Sequence, residues 1–239
     1  DVFSIYGGLE NLVKSLYQSA GEDKFLFGVQ NLRVNPKTEG FDLDFNHQGE
    51  IMKLKANRVV STVGAYEIPS IFPFLDENDI DHIANLKYAK VVQVAVGFRN
   101  WEGPQLDGFG GLVPHIENRD ILGALFMSSF IPERAPDDGQ LFAIFMGGVR
   151  REEMYEKNDQ ELAGILEKEM HKFQPDILRF NRYQHAIPQY GKESGKRFET
   201  IAKLENQYNG LVIAGNLKDG IGMADRIKQA TDIAEALKP

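Results

Sequence analysis

The chain has 239 residues, 42% of them apolar and 26% charged, with a formal net charge of −8. That length buries one large core or two smaller ones, and the acidic balance, with 27 basic residues in no concentrated run, argues against nucleic acid as a partner. The absence of cysteine removes disulfides, thiolate metal sites and cysteine nucleophiles together, and five histidines without an i, i+4 pair give no metal spacing. No apolar run approaches the length of a membrane span.

In chain order, Val2 to Tyr6 reads as a short apolar strand, so that the sequence is expected to open in the middle of a folded protein. Gly7-Gly8 then leads into a helix with Leu9, Leu12, Val13, Leu16 and Tyr17 at helical spacing, closed by Gly21. Lys24 to Val34 reads as extended chain, followed by the alternating strand Phe41 to Phe45 and by Ile51 to Leu54. These predict an antiparallel meander that ends in a buried strand, Arg58 to Val63. Pro69 and Pro73 break the apolar stretch Ile68 to Leu75 into a bend or short helix, and Asp79 to Asn85 gives one or two helical turns.

Ala89 to Phe98 is the strongest strand signal, with valines saturating both faces. Phe109 to Pro114, Ile121 to Ser129 and Leu141 to Met146 follow as further extended stretches, and Leu106, Phe109, Leu112, Leu122, Leu125, Phe126, Phe142 and Phe145 in this region form core, the commoner outcome, or line an apolar pocket. Glu152 to Phe173 reads as one amphipathic helix with Leu162, Ile165, Leu166 and Met170 inward. A strand at Ile177 to Tyr183 and a short helix at Phe198 to Glu205 come next.

Strand, glycine and helix signals all agree in the last stretch. Leu211 to Ala214 reads as a buried strand, Gly215 to Gly222 as a turn, and Met223 onward as a helix with Ile227, Ala230, Ile233, Ala234 and Leu237 on one face. Three glycines in eight residues, before a helix start with unpaired N–H groups, make either a plain strand-to-helix connection or a seat for an anion or electron-rich cofactor edge.

GGLENL at the start, VVSTVGA, GFGGLVP followed by ILGALFMSSFIPERAP, FAIFMGG, AIPQY and LVIAGNLKDGIGMADRI together resemble the C-terminal two-thirds of the protoporphyrinogen oxidase branch of the flavin-containing amine oxidase superfamily. The resemblance runs from about Phe3 to Leu237. It implies an α/β fold with a partial FAD-binding domain from 1–86 and 185–239, and a mixed-sheet substrate domain from 87–184. FAD is the implied cofactor, with Val29 at the adenine, Tyr183 beside the flavin, Gly215 in the glycine turn, and Ile221, Gly222 and Met223 beneath the isoalloxazine ring. Leu106, Leu122 and Phe142 are implied to hold a tetrapyrrole.

The flavin carries the chemistry in such enzymes, so no catalytic side chain and no metal are expected. Gly108-Phe-Gly110 and Gly220-Ile-Gly222 both lack the third glycine of the family's G-x-G-x-x-G pyrophosphate loop. The chain is therefore expected to be truncated, holding FAD weakly and inactive alone. Cytoplasmic location, peripheral membrane attachment through the absent part, and a homodimer are further expectations. Coproporphyrinogen or an amine as substrate, and a non-catalytic binding remnant of the same fold, stand as alternatives.

Overall fold

The computed structural model describes residues 4–131, 133–170 and 174–238. Its elements are, in chain order, α1 Glu10–Ala20, β1 Gln30–Pro36, β2 Phe41–His47, β3 Glu50–Ala56, β4 Val59–Ser61, α2 Ile68–Ile71, α3 Glu77–Ala84 and β5 Tyr88–Phe98. There follow β6 Gly110–Leu112, β7 Ile121–Phe126, α4 Met127–Phe130, β8 Gln140–Gly147, α5 Glu153–Glu156, α6 Asp159–Glu169, β9 Ile177–Pro188, α7 Ser194–Gln207, β10 Leu211–Ile213 and α8 Met223–Ala236. Val2 and Phe3 of the expected first strand, and residues 171–173 at the end of the expected long helix, lie outside the described residues. No described helix is long and apolar enough to cross a membrane.

The chain forms two compact units, Asp1–Lys87 with Pro188–Pro239, and Tyr88–Ile187. The expected limits lay between 86 and 87 and between 184 and 185. In the first unit β1, β2 and β3 make the expected antiparallel meander, whose alternating strand buries Phe41 and Phe45 beside Val34. The fourth strand departs from expectation. Instead of closing the meander, β4 pairs in parallel with β10, Val59 opposite Leu211 and Ser61 opposite Ile213. Local alternation predicts a strand but not its partner, and this partner lies about 150 residues downstream.

α3 and α7 bury Ile83, Ile201 and Leu204, and the buried Asp79 carboxylate takes the Lys203 ammonium at 2.8 Å. α7 spans 14 residues, longer than the short helix expected. The apolar stripe of α1 is not inside this unit: Leu9, Val13 and Leu16 are exposed. Helical periodicity marks a face to be covered and does not say what covers it.

The second unit is built on a sheet in the order β6-β7-β8-β5-β9. β5 and β8 run antiparallel with Val92 opposite Met146, Val94 opposite Ile144 and Val96 opposite Phe142. These residues pack with Met154, Leu162 and Leu166 of α5 and α6 into one core cluster. Complete burial of each leucine stabilises the unit by about 1.5–3 kcal/mol. The valine run was expected to saturate both faces of its strand, but Gln93 and Ala95 of β5 are half-buried.

The single helix expected from Glu152 is interrupted. Lys157 is extended, and Asn158 starts α6 with a capping box: the Glu161 N–H donates to Asn158 Oδ1 at 3.0 Å, and the Asn158 N–H to Glu161 Oε2 at 2.9 Å. β7 likewise stops at Phe126, where the chain turns into α4.

Candidate functional site

β4 and β10 run parallel, so their carboxyl ends lie at one edge, the usual ligand edge of an α/β sheet. The glycine turn begins there. Gly215 has φ +84°, and a Cβ on it would stand 2.8 Å from the Thr62 carbonyl oxygen, so the two strand ends are too close for a side chain.

From Gly215 to Gly222 the turn is held from several sides. The Tyr190 hydroxyl donates to the carbonyls of Asn216 at 2.8 Å and Gly220 at 3.2 Å. The buried Arg197 guanidinium donates to the Leu217 carbonyl at 2.9 Å and stacks on the rings of Tyr190 and Phe198, each centroid 5.2 Å away. Arg226 donates to the carbonyls of Gly215 and Lys218 and to Gln229 Oε1. Gln229, buried in α8, accepts from the Gly215 N–H at 2.9 Å.

This brace explains an inverted helix. The sequence pattern puts Ile227 and its neighbours inside, yet Ile227 is 52% exposed and the polar Gln229 is buried instead. Burial also pushes the Tyr190 hydroxyl above the ordinary tyrosine value, against a downward pull from Arg226 and Arg197.

The outer side of the turn is open. Ile221 and Met223 are 50% and 44% exposed, Gly222 is exposed between them, and a Cβ on Gly222 would meet only the Asp225 carboxylate within 4 Å. That carboxylate accepts the Gly222 N–H at 2.9 Å, which leaves the first amides of the 14-residue helix α8 for another partner. A flat, electron-rich ring fits such an edge, flanked by two exposed apolar side chains.

Val29, half-buried just before β1, lines a cleft of about 1040 Å³ with Leu32, Arg33, Asp44 and Glu67. FAD therefore has residues to suit its ring in the turn and a cleft of fitting size at Val29, while no G-x-G-x-x-G run in this chain addresses its pyrophosphate.

In the second unit, the three residues implied as a tetrapyrrole clamp are not brought together. Leu106 and Phe142 share a cleft of about 750 Å³ with Phe98 and Trp101. Phe142 is only 4% exposed, points into the helix-covered core, and packs its ring against Phe98, Trp101 and Phe126. Leu122 lies at the register shift in β7, close to Gly148, and does not line that cleft.

The opposite face of the sheet carries a different set. Register places Leu112 opposite Gly123, Gly123 opposite Phe145, and Phe145 opposite Gln93, in one row across β6, β7, β8 and β5. Leu125, opposite Ala143, stands on the same face one row along. Leu112 is 87% and Leu125 36% exposed, with Phe145 half-buried beside them. Gly123 lets β6 approach closely: a Cβ there would stand 2.5 Å from the Gly111 carbonyl oxygen and 3.2 Å from Leu112 Cδ2.

Tyr183, expected at the flavin, is half exposed on β9. It has the parity of Asn181, whose amide reaches Gln93 on this open face, whereas Leu178 and Phe180 pack into the core. The sequence puts Leu112, Leu125 and Phe145 alike among residues that form core or line a pocket, with core the commoner outcome, and does not single out these three. Leu141 to Met146 is apolar at every position, so its parity is unreadable without the pairing register. Gln93, the polar interruption in AKVVQVAVGF, was the available signal for which side faces out.

The chain matches the family described as flavin containing amine oxidoreductase over residues 1–226. It is 25% identical to the mitochondrial protoporphyrinogen oxidase of Nicotiana tabacum across 98% of this chain and 50% of that protein. Its identity to the coproporphyrinogen III oxidase of Bacillus subtilis is 21%, across 93% of this chain and 48% of that protein. A solved candidate protoporphyrinogen oxidase of Exiguobacterium sp. 255-15 shares the fold with a TM-score of 0.85 at 18% identity, covering 98% of this chain and 51% of that one. The chain thus spans about half the length of the relatives it matches. With the family pattern running through nearly all of its residues, the chain belongs to the flavin-containing amine oxidoreductases.

Proposed function

We propose that this chain serves an FAD-dependent oxidase that converts protoporphyrinogen IX to protoporphyrin IX in haem biosynthesis. The observation that carries the reading is the sheet face of Leu112, Leu125 and Phe145, an apolar surface on the side away from the helices. A macrocycle with an apolar body and carboxylates at its edge suits such a face. FAD, when bound, supplies the hydride acceptor. The chain's own residues orient: Ile221, Gly222 and Met223 present an edge to the ring, while Tyr190, Arg197 and Arg226 keep that edge in one conformation. Holding the reacting partners in place is a large part of what a protein contributes to a reaction of this kind.

The Bacillus relative favours coproporphyrinogen III as a second reading. That substrate has more carboxylates and calls for more cations. Arg179, exposed on β9 with the parity of Asn181 and Tyr183, is a cation on the same face. Initial rates of porphyrin fluorescence in air, with each porphyrinogen in turn, decide between them. The first reading predicts kcat/KM at least about tenfold higher for protoporphyrinogen IX. A reversed ratio supports the second, and no oxidation of either by the full-length, FAD-loaded protein refutes both.

A further inference from the structure

Gln93 and Asn181 are the polar end of a row that is otherwise apolar. Gln93 of β5 stands directly opposite Phe145, which stands opposite Gly123, which stands opposite Leu112. From β9, Asn181 Nδ2 donates to Gln93 Oε1 at 2.8 Å, which extends the row to the last strand. Both side chains are half-buried, and the neighbouring positions on the same face are Ala95 on β5 and Arg179 and Tyr183 on β9.

This bond satisfies one acceptor and one donor and leaves the rest turned outward. Asn181 Oδ1 and Gln93 Nε2 make no other hydrogen bond among the described residues. Once a flat ligand covers the face, water is displaced from these groups, and any group left unpaired costs about 1–3 kcal/mol. A wholly apolar ligand is therefore penalised here. A ligand that offers an N–H to Asn181 Oδ1, beside the ring surface on Phe145, removes the penalty at that acceptor and leaves the Gln93 amide group to solvent at the rim.

We propose that Gln93 and Asn181 are specificity-determining residues that favour the reduced, puckered macrocycle over its oxidised product. The inference rests on the tetrapyrrole reading of the open face. In a porphyrinogen the pyrroles are joined by saturated carbons, so each ring tilts and its N–H can point out of the mean plane toward the protein. In the flat porphyrin the remaining N–H groups are turned into the centre of the ring, and none reaches Asn181 Oδ1. The amide pair thus binds substrate more tightly than product, which aids release once the macrocycle has been flattened. A site built around a hydrogen bond discriminates strongly against a ligand that lacks it.

The test is anaerobic binding to the flavin-loaded protein with its flavin pre-reduced, so that no turnover occurs. Protoporphyrin IX is the fluorescent probe and protoporphyrinogen IX the competitor. Wild type is expected to bind the porphyrinogen about tenfold or more tightly than the porphyrin. Gln93→Leu and Asn181→Leu are expected to weaken porphyrinogen binding by at least fivefold, while porphyrin binding stays within twofold, which also shows the face to be folded. Gln93→Met, close in volume, carries the same expectation should either leucine variant fail to fold.

Equal affinity of wild type for the two macrocycles overturns the proposal, as does a parallel loss of both in the variants. Selective binding in a protein that oxidises neither porphyrinogen leaves the recognition standing and faults the reaction instead.

Discussion

Tyr190 shows how one hydroxyl fixes a loop. It donates to two carbonyls of the glycine turn and supports the Arg197 guanidinium with its ring. Tyr190→Phe removes both hydrogen bonds and keeps the ring, so a loss of about 1 kcal/mol of stability is expected, read as a lowered unfolding midpoint. Amide exchange at Leu217 to Gly222 should quicken in the same variant.

The effect has a pH sign. Burial raises this hydroxyl above the ordinary value of 10.0 in the folded state. Its contribution is therefore fully present below the unfolded value and is lost as pH rises through the folded one. Wild type and Tyr190→Phe should converge in stability above about pH 10 and differ by a constant amount at neutral pH. Little of this was readable beforehand: Gly215, Gly220 and Gly222 mark the turn in the sequence, but nothing in local pattern connects them with Tyr190 or Arg197, which come from elsewhere in the chain.

Among the elements, local signals held where the determinant is local. Gly215 to Gly222 and α8 follow the expected limits because glycine freedom and helical spacing act within a few residues. The partner of β4, the outward face of α8 and the parity of β8 depend on distant pairing, and sequence alone left them open or placed them otherwise. The break between α5 and α6 is a different case. N-x-x-E at Asn158 to Glu161 is a written capping signature, overlooked within a longer amphipathic run.

Asn158→Ala should cost about 1 kcal/mol, through loss of the cap on the Glu161 N–H, and Leu166→Ala about 2–5 kcal/mol, through a cavity against β5 and β8. Chemical denaturation measures both. Equal effects would mean that α6 is held less by packing than its burial implies.

For the whole molecule, two units carry two kinds of surface. One has a braced glycine turn at the carboxyl edge of a parallel strand pair, and the other an apolar sheet face that ends in an amide pair. The family pattern was legible because its motifs fall on turns and strand ends, where residue identity is constrained by backbone geometry. The residues of the proposed substrate face were less legible, since leucine and phenylalanine serve core and pocket alike.

The proposal that the turn seats flavin is probed most directly at Gly222. Its φ of −71° is open to any residue, and the only atoms that an added Cβ meets belong to Asp225, so Gly222→Val should fold normally. The measurement is protein-bound flavin absorbance after gel filtration with added FAD, for wild type and Gly222→Val of the full-length protein, with unfolding midpoints alongside. Flavin retained by wild type and lost from a normally folded Gly222→Val is the expected result; equal flavin content in the two would contradict it.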